Sequence, residues 1–557
     1  MFASELFNIA LALCSLIIII IIIIIIMKKI TNNARRHFCK DLTRSREICV
    51  AIGSNLGNTF ENFHSALLLL NEHGFETKRL GSLYETKPDG SAARSIDERK
   101  FLNSAMILSH AEARSAQECL KELKEIERKL GRDVNDKSKG PRVIDLDILF
   151  SEKEPIVDVR GSSFRYGSSE HDREGGVYKW EVQVPHPRVK ERAFALAPVA
   201  DLCEKTSFSK TDVSISMENQ MIAAKKAWEV MRVNVDEDVI RRVAPFKRDS
   251  ELEPYEKYSK IMGVLNITPD SFSDGGLYNT NVETAVRRAE QLANEGARII
   301  DVGGQSTRPG ASRVSASDEI SRVAPVLRAI CKRFKNDPRN IAVSIDTFYG
   351  EVVKMADQLG IDIINDVSGG DWDDQMLSAV ANTKSPLAYI LSHQRGNPEI
   401  MSANALYDIG KVAKTVGDEI SAQYFDKLLP LGITSWRCWI DPGFGFAKTS
   451  EQCVELLSDL KNIRKSLAIN ESAGLAHVPM LVGMSRKLFI GNMMQNNNNS
   501  NNNNGNSDNN AEIIAKDERD VASAAAAVIA LTNGANFVRA HDVILHSKMC
   551  KVADSLL

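Results

Sequence analysis

From Tyr258 to the C-terminus the chain repeats one pattern eight times: a short apolar run with a polar end, then an amphipathic stretch. The runs are KIMGVLN, RIIDVGG, IAVSIDT, IDIINDV, PLAYILSH, WRCWIDPG, VPMLVGMS and ANFVRAH. Strands that alternate with helices cannot pair as hairpins. They predict a parallel α/β fold, and eight units over 300 residues predict a (β/α)8 barrel over 258–557. A doubly wound open sheet fits less well, because no glycine-rich dinucleotide fingerprint follows the first run.

In such a barrel the chemistry sits at the C-terminal ends of the strands. Here the ends carry Asn266, Gln305 with Thr307 and Arg308, Asp346, Asn365 with Asp366, His393, Asp441, Ser485 with Lys487, and Arg539 with His541. One polar strand end is ordinarily structural, satisfied by a loop amide. Eight of eight is not explained that way. Arg308, Arg539, His541 and Asn266 suit an anion such as diphosphate. Asp346, Asn365, Asp441 and Lys487 offer paired donors and acceptors to a flat heterocycle.

Upstream, globular text begins at Ile48. ICVAIGSN reads as a strand and turn, and Glu112–Leu130 as a helix with Ala116, Leu120, Leu123, Ile126 and Leu130 on one face. RVIDLDILF (142–150) reads as a strand, with Asp145 and Asp147 opposite its apolar face. Carboxylates two apart on a strand stand roughly 7 Å apart, a spacing suited to two magnesium ions in phosphoryl transfer. A D-x-D alone is more often a solvated face. Arg132, Arg142, His186, Arg188 and Arg192 nearby shift the balance toward a bound polyphosphate. No P-loop is present, so ATP would be held by metal and arginine.

AIGSNLG (51–57), YETKP (84–88), FLNSA (101–105), GPRVIDLDILF (140–150) and VPHPR…RAF resemble 6-hydroxymethyl-dihydropterin pyrophosphokinase over about 48–202. The resemblance implies an α+β, ferredoxin-like domain that transfers pyrophosphate from ATP to a pterin hydroxymethyl. Asp145 and Asp147 would then hold two magnesium ions. Arg132, Arg142 and Arg192 would meet the triphosphate, with Glu127 and His186 as further ATP contacts. Asn103 would bond the pterin, sandwiched by Phe101 and Phe194. Arg132, Arg142 and Asp147 would be catalytic. This chain departs from the family at Lys139, where an aromatic is usual, and at Val134, where arginine is common.

GVLNITPDSFSDGG (263–276), GGQSTRPGA (303–311), SIDT (344–347), IINDVSGG (363–370), DPGFGFAK (441–448), LVGMSRK (481–487) and RAHDV (539–543) resemble dihydropteroate synthase through the whole barrel. That family joins p-aminobenzoate to the dihydropterin and expels diphosphate. Asp346, Asn365, Asp441 and Lys487 would bind the pterin. Asn266, Thr307, Arg308, Arg539 and His541 would bind diphosphate, with one magnesium near Asn266. Ser485 and Phe446 would line the p-aminobenzoate slot, under loops carrying Asp274 and Arg308. Lys487, Arg308 and Arg539 would be catalytic. The departures are Gln305 for Glu and Gln394 for Met.

The remaining expectations concern organisation. Residues 1–46 are set apart as a targeting or membrane-anchor segment. Residues 9–27 are apolar except Ser15 and long enough to contact or cross a bilayer. From Met27 to Arg46 seven basic residues face one acid, Asp41, the composition of a mitochondrial presequence and the preferred reading. Residues 47–202 form the first catalytic domain, 203–257 a linker and approach to the barrel, and Gln495–Asn510 a disordered Asn-rich insert. Lys and Arg total 70 against 73 Asp and Glu, which argues against nucleic acid as a partner. Nine scattered cysteines without a C-x-x-C pair argue against zinc ribbons and disulfide frameworks. Partners are expected to be small molecules (the hydroxymethyldihydropterin, ATP, p-aminobenzoate), and the resemblance implies a homodimer through the barrel. The competing reading is an active synthase barrel whose pyrophosphokinase half serves only as a pterin-binding scaffold.

Overall fold

The computed structural model describes residues 47–88, 99–112, 114–132, 141–152, 183–203, 217–236, 238–248, 251–267, 282–305, 313–397, 400–401, 403–469, 473–499 and 516–556. Residues 1–46, the loop 158–180, Lys139, Val134, Asp274, Thr307, Arg308 and positions 500–510 of the insert lie outside them.

The first half is built on an antiparallel sheet of β1 (Glu47–Ser54), β2 (Phe75–Leu80), β3 (Tyr84–Thr86), β4 (Phe101–His110) and β5 (Asp145–Ser151). Period-two alternation gives it two apolar faces. Ile48, Val50, Ile52, Leu102, Met106, Leu146 and Ile148 pack on the helices Thr59–Glu72 and Ala116–Lys129. Cys49, Ala105, Ile107 and Leu149 lie under Ala193–Leu202 and Met217–Met231. The helix expected from Glu112 begins at Ala116, because Ser115 and Glu118 form a capping box that satisfies its first amides.

Residues 203–257 do more than connect. They supply the helix Met217–Met231 and two strands, β6 (Ile240–Lys247) and β7 (Glu251–Pro254). The sheet order is β5-β1-β4-β3-β6-β7, with β2 also paired to β4, so the stretch completes the first sheet.

The barrel strands follow as β8 (Lys260–Asn266), β9 (Ala297–Gly303), β10 (Ala342–Asp346), β11 (Ile363–Asp366), β12 (Ala388–Ser392), β13 (Cys438–Asp441), β14 (Leu481–Val482) and β15 (Phe537–Ala540). They pair in parallel in the order β13-β12-β11-β10-β9-β8-β15-β14, and an Ile440–Met480 bridge nearly closes the ring. Met262, Ile299, Ile363, Ile390, Trp439 and Phe537 fill the interior, and Phe246 and Tyr255 from the β6–β7 segment join the same cluster. The helix after β14, Leu488–Asn499, runs five residues into the expected insert.

The two halves share core. Trp436 of the barrel belongs to the apolar cluster of the first sheet, lies 5.4 Å from the Phe63 ring and donates from Nε1 to Gly81 O at 2.7 Å. Beside it, Asp201 accepts from Tyr84 Oη (2.9 Å) and from Arg242 Nη2 (2.6 Å).

Candidate active sites

The first site grows from one row of sheet neighbours. Gly53 is paired with Asp145 on one side and Asn103 on the other, and Asn103 is paired with Tyr84. Directly paired residues share a face. Ala51, next to Asp147 and Ala105, keeps the adjoining row low. The result is a shallow floor with carboxylates at the β5 edge and an amide opposite. A Cβ on Gly53 would stand 2.9 Å from Asn103 Oδ1, so the floor has no room for a side chain there. Asn103 is buried and donates to Thr86 Oγ1 at 2.8 Å. Phe101 sits two residues earlier on the same face. Phe194 opens the helix Ala193–Leu202, with the Arg192 guanidinium 5.3 Å from its ring centre.

β5 is an edge strand, so the outward N–H and C=O of Leu146 need partners. Glu127 accepts from Leu146 N at 2.6 Å, and Lys124 Nζ donates to Leu146 O at 3.0 Å. Lys124 also reaches Glu127 (2.7 Å), Asp147 (3.3 Å) and Asp145 (3.9 Å). Arg132 bonds Glu127 Oε2 at 2.5 Å and Asp145 Oδ1, and Arg142 bonds Asp145 Oδ2. Three cations thus face three carboxylates. Burial alone would raise the Asp147 carboxyl, but Lys124 and His186 overcome it and hold the group down at about 2. Burial would lower Lys124, but Glu127 and the two aspartates keep its proton on well above the usual lysine range. His186 is buried, and desolvation pushes its imidazole down while Asp147 opposes the shift.

The structure therefore brings Asp145, Asp147, Arg132 and Arg142 together. It places Glu127 differently from the expectation: fully buried, its oxygens are occupied by Lys124, Arg132 and Leu146, behind the strand rather than facing a nucleotide. Lys124 was not expected at all. Its signal lay in the sequence, since Lys124 and Glu127 continue the stripe of Leu120, Leu123 and Leu130 and so cannot be solvated.

The second site forms at the C-terminal ends of the barrel strands. Asn266, Gly303, Asp346 and Asn365 are successive neighbours in register. Arg539 crosses the ring, donating from Nε to Asp301 (2.7 Å) and from Nη2 to Asp346 (2.6 Å), and Asn365 Nδ2 donates to Asp301 at 3.1 Å. Asp301 is fully buried and was missed because it sits inside an apolar run rather than at its end. Burial pushes Asp346 up to about 7 despite Arg539. Asp441 is also raised by burial, and its Oδ1 accepts from Gly443 N at 2.8 Å.

Lys487 donates to Phe444 O and lies 4.3 Å over the Phe446 ring. Desolvation brings its ammonium down to about 8, with Asp441 opposing. Ser485 Oγ is 3.0 Å from His541 Nδ1, so these two expected ligands already touch. Asp366, beside Asn365, is structural: it accepts from Ser368 N and Oγ, Gly370 N and Tyr389 Oη. Of the two departures, Gln305 donates its amide to buried Glu319, and Gln394 donates to Ser368 O at 3.0 Å.

An arginine-rich carboxylate edge and a ring of pterin-type ligands in one chain define a two-site pterin enzyme. Comparison with known proteins agrees. Residues 49–204 match 7,8-dihydro-6-hydroxymethylpterin-pyrophosphokinase, and 262–541 match the pterin binding enzyme family. The folate synthesis bifunctional protein of Arabidopsis thaliana is 34% identical over 525 residues, covering 93% of this chain and 97% of that one. The mitochondrial folate synthesis bifunctional protein of Pisum sativum is 35% identical over 521 residues, covering 92% and 90%. A crystal structure of Plasmodium falciparum wild-type HPPK-DHPS with pteroate has the same fold (TM-score 0.62, 19% identity, 92% of this chain and 98% of that one). The chain belongs to the bifunctional folate-synthesis enzymes, in which a pterin pyrophosphokinase is fused to a dihydropteroate synthase barrel.

Proposed function

We infer that the chain performs two consecutive reactions. In the first, the pterin hydroxymethyl oxygen attacks the β-phosphorus of ATP, AMP leaves and the hydroxyl proton is lost. In the second, the methylene carbon parts from diphosphate and forms a bond to the neutral amine of p-aminobenzoate, which gives up a proton. The observation that carries this reading is the pairing, in one chain, of the Asp145–Asp147 edge with the Asn266–Asp346–Asn365–Asp441–Lys487 ring.

Enzymes of these families use ATP and magnesium. The donor set of the first site fits: two carboxylates on one strand face offer hard oxygen ligands, and magnesium keeps waters for its other positions. Asp145 and Asp147 would hold two ions, which supply charge neutralisation for the phosphates. Arg132 and Arg142 then exchange Asp145 for phosphate oxygens, with Arg192 and His186 completing the ATP contacts. Glu127 orients Arg132 and Lys124 rather than touching the nucleotide. Phe101 and Phe194 sandwich the pterin and Asn103 bonds its edge.

In the barrel, Asp346, Asn365, Asp441 and Lys487 hold the pterin. Arg539, His541, Asn266, Thr307 and Arg308 take the departing diphosphate; Asn266 would be the contact for a third ion, which would supply further charge neutralisation there. Ser485 and Phe446 form the p-aminobenzoate slot. An electron-rich pterin shares positive charge at its methylene, so departure leads attack. Phe246 and Tyr255 of the β6–β7 segment pack against residues that begin the barrel strands, opposite the condensation site, which supports release of the pterin diphosphate to solvent between the two steps. Val521, Ala525 and Ile529 with Ile544, Val552 and Leu556 leave an exposed apolar stripe on two neighbouring helices, which supports a homodimer there. The plant relatives named mitochondrial, together with the basic stretch 27–46, support the same compartment, and residues 9–27 are the candidate membrane contact.

The test is mass spectrometry of a reaction holding the full chain, hydroxymethyldihydropterin, ATP, magnesium and p-aminobenzoate. AMP, diphosphate and dihydropteroate are expected. Dihydropteroate formed only from added pterin diphosphate, with no AMP from ATP, would reduce the first half to a pterin-binding scaffold.

A further inference from the structure

His393 directly follows β12 among the site residues, yet neither reaction uses it. It is buried between two charged groups: Nε2 lies 2.8 Å from Glu419 Oε2 and Nδ1 lies 3.0 Å from Lys448 Nζ. A carboxylate only accepts and an ammonium only donates, which fixes the ring as neutral with its proton on Nε2. Burial favours that form, bringing His393 down to about 4. Glu419 is held in turn by Arg395 through Nε (2.9 Å) and Nη2 (2.5 Å), and the Arg395 guanidinium lies 3.9 Å from the centre of the Tyr407 ring.

On its other side Lys448 Nζ donates to Gly443 O at 3.1 Å and Phe446 O at 3.2 Å. These are the two ends of the turn after β13. That turn presents Phe446 to the p-aminobenzoate slot and the Phe444 carbonyl to Lys487. Gly443 has φ +69° and packs against the His393 carbonyl, so strand end and turn are seated directly on one another.

We propose that Lys448 is a positioning residue for the condensation: backed by His393, Glu419 and Arg395, it fixes the Gly443–Phe446 turn and thereby sets Phe446 in the p-aminobenzoate slot. Among the described residues no carboxylate contacts this buried ammonium, which is therefore costly to keep, and burial brings Lys448 down to about 7. Its three acceptors are the compensation: two are the ends of the turn, and the third, His393 Nδ1, ties that turn to the end of β12. The inference rests on the assignment of Phe446 to that slot.

The experiment is a double-mutant cycle in the full chain with Lys448→Met and Phe446→Ala, supplied with pterin diphosphate and varied p-aminobenzoate. Lys448→Met is expected to raise the KM for p-aminobenzoate on the order of tenfold, as a displaced positioning group does. It should add no further rise in the Phe446→Ala background, and pyrophosphoryl transfer by the same protein should be unchanged. If Lys448→Met also lost that first activity through misfolding, Glu419→Gln, which leaves the lysine in place, takes its position in the cycle. An unchanged KM in Lys448→Met, or a full additional rise on top of Phe446→Ala, overturns the positioning role while the slot stands. An unchanged KM in Phe446→Ala overturns the slot assignment and the inference with it.

Discussion

The two sites solve charge burial in opposite ways. The pyrophosphokinase site concentrates it: Lys124, Glu127, Arg132, Arg142, Asp145 and Asp147 come from one helix, its exit and one edge strand, and each carboxylate already faces a cation. The synthase site distributes it, one or two groups per strand around a ring, and leaves Asp346 up near 7 and Lys487 down near 8. A concentrated cluster is rigid and intolerant, because every member neutralises another. A distributed ring keeps groups whose protonation is still to be settled by a ligand. The first arrangement suits a polyphosphate, which enters as a charge to be exchanged. The second suits a heterocycle, which enters as donors and acceptors.

The sharpest way to break the contrast is Lys124→Met. Removing one partner from a buried ion cluster costs about 3–5 kcal/mol. Pyrophosphoryl transfer should vanish while condensation from pterin diphosphate persists, read by paired assays and by denaturant unfolding. Equal loss of both activities would mean that the charges are not local to the first site.

Next in size is Trp436→Ala. This barrel residue belongs to the core of the first sheet, and its loss should cost about 3 kcal/mol. Heating should then abolish pyrophosphoryl transfer at lower temperature than condensation. Coincident inactivation would show the halves melting as one unit. A smaller effect is expected of Gly53→Ala, whose Cβ would press on Asn103 Oδ1. The displaced amide should raise the KM for the pterin alcohol roughly tenfold, since strain of this kind is worth ~1–2 kcal/mol. The KM for ATP should not move.

The mildest test is pH. Lys487 has a folded pKa depressed to about 8 from 10.5, so its charge is present below pH 8 and lost above it. kcat/KM for condensation should fall as pH rises through about 8, and pyrophosphoryl transfer should lack that limb because Lys124 keeps its proton. The stability linkage has the other sign. Between pH 8 and 10.5 the unfolded chain binds more protons at this group, so its contribution to stability is present above the unfolded pKa and lost as pH falls through 8.

Much of this was legible in the chain because the signals were local. Eight strand ends announced the barrel, and a strand with two carboxylates on its polar face announced the charged edge of β5. What escaped depended on neighbours that no local pattern names. Asp301 is enclosed by an apolar run, and only the register across β15, β8 and β9 brings it under Arg539. Glu127 has the right chemistry for a nucleotide contact, but its place on the apolar stripe turns it inward. The stretch 203–257 is polar enough to pass for a linker. It becomes β6 and β7 because β3 offers an open edge and the barrel mouth an apolar floor for Phe246 and Tyr255.

The two sites work independently of one another, and a pair of single variants tests that directly. Asp147→Asn keeps shape but removes a charge from the β5 edge proposed to hold metal, which should slow pyrophosphoryl transfer on the order of a thousandfold. Lys487→Ala should spare that step and cripple condensation. Neither variant alone should make dihydropteroate from hydroxymethyldihydropterin, ATP and p-aminobenzoate. Adding pterin diphosphate should rescue Asp147→Asn, and mixing the two variants should restore the whole sequence through the diffusing intermediate. If folded Asp147→Asn remains inactive with pterin diphosphate supplied, the two sites are not independent and the account is wrong.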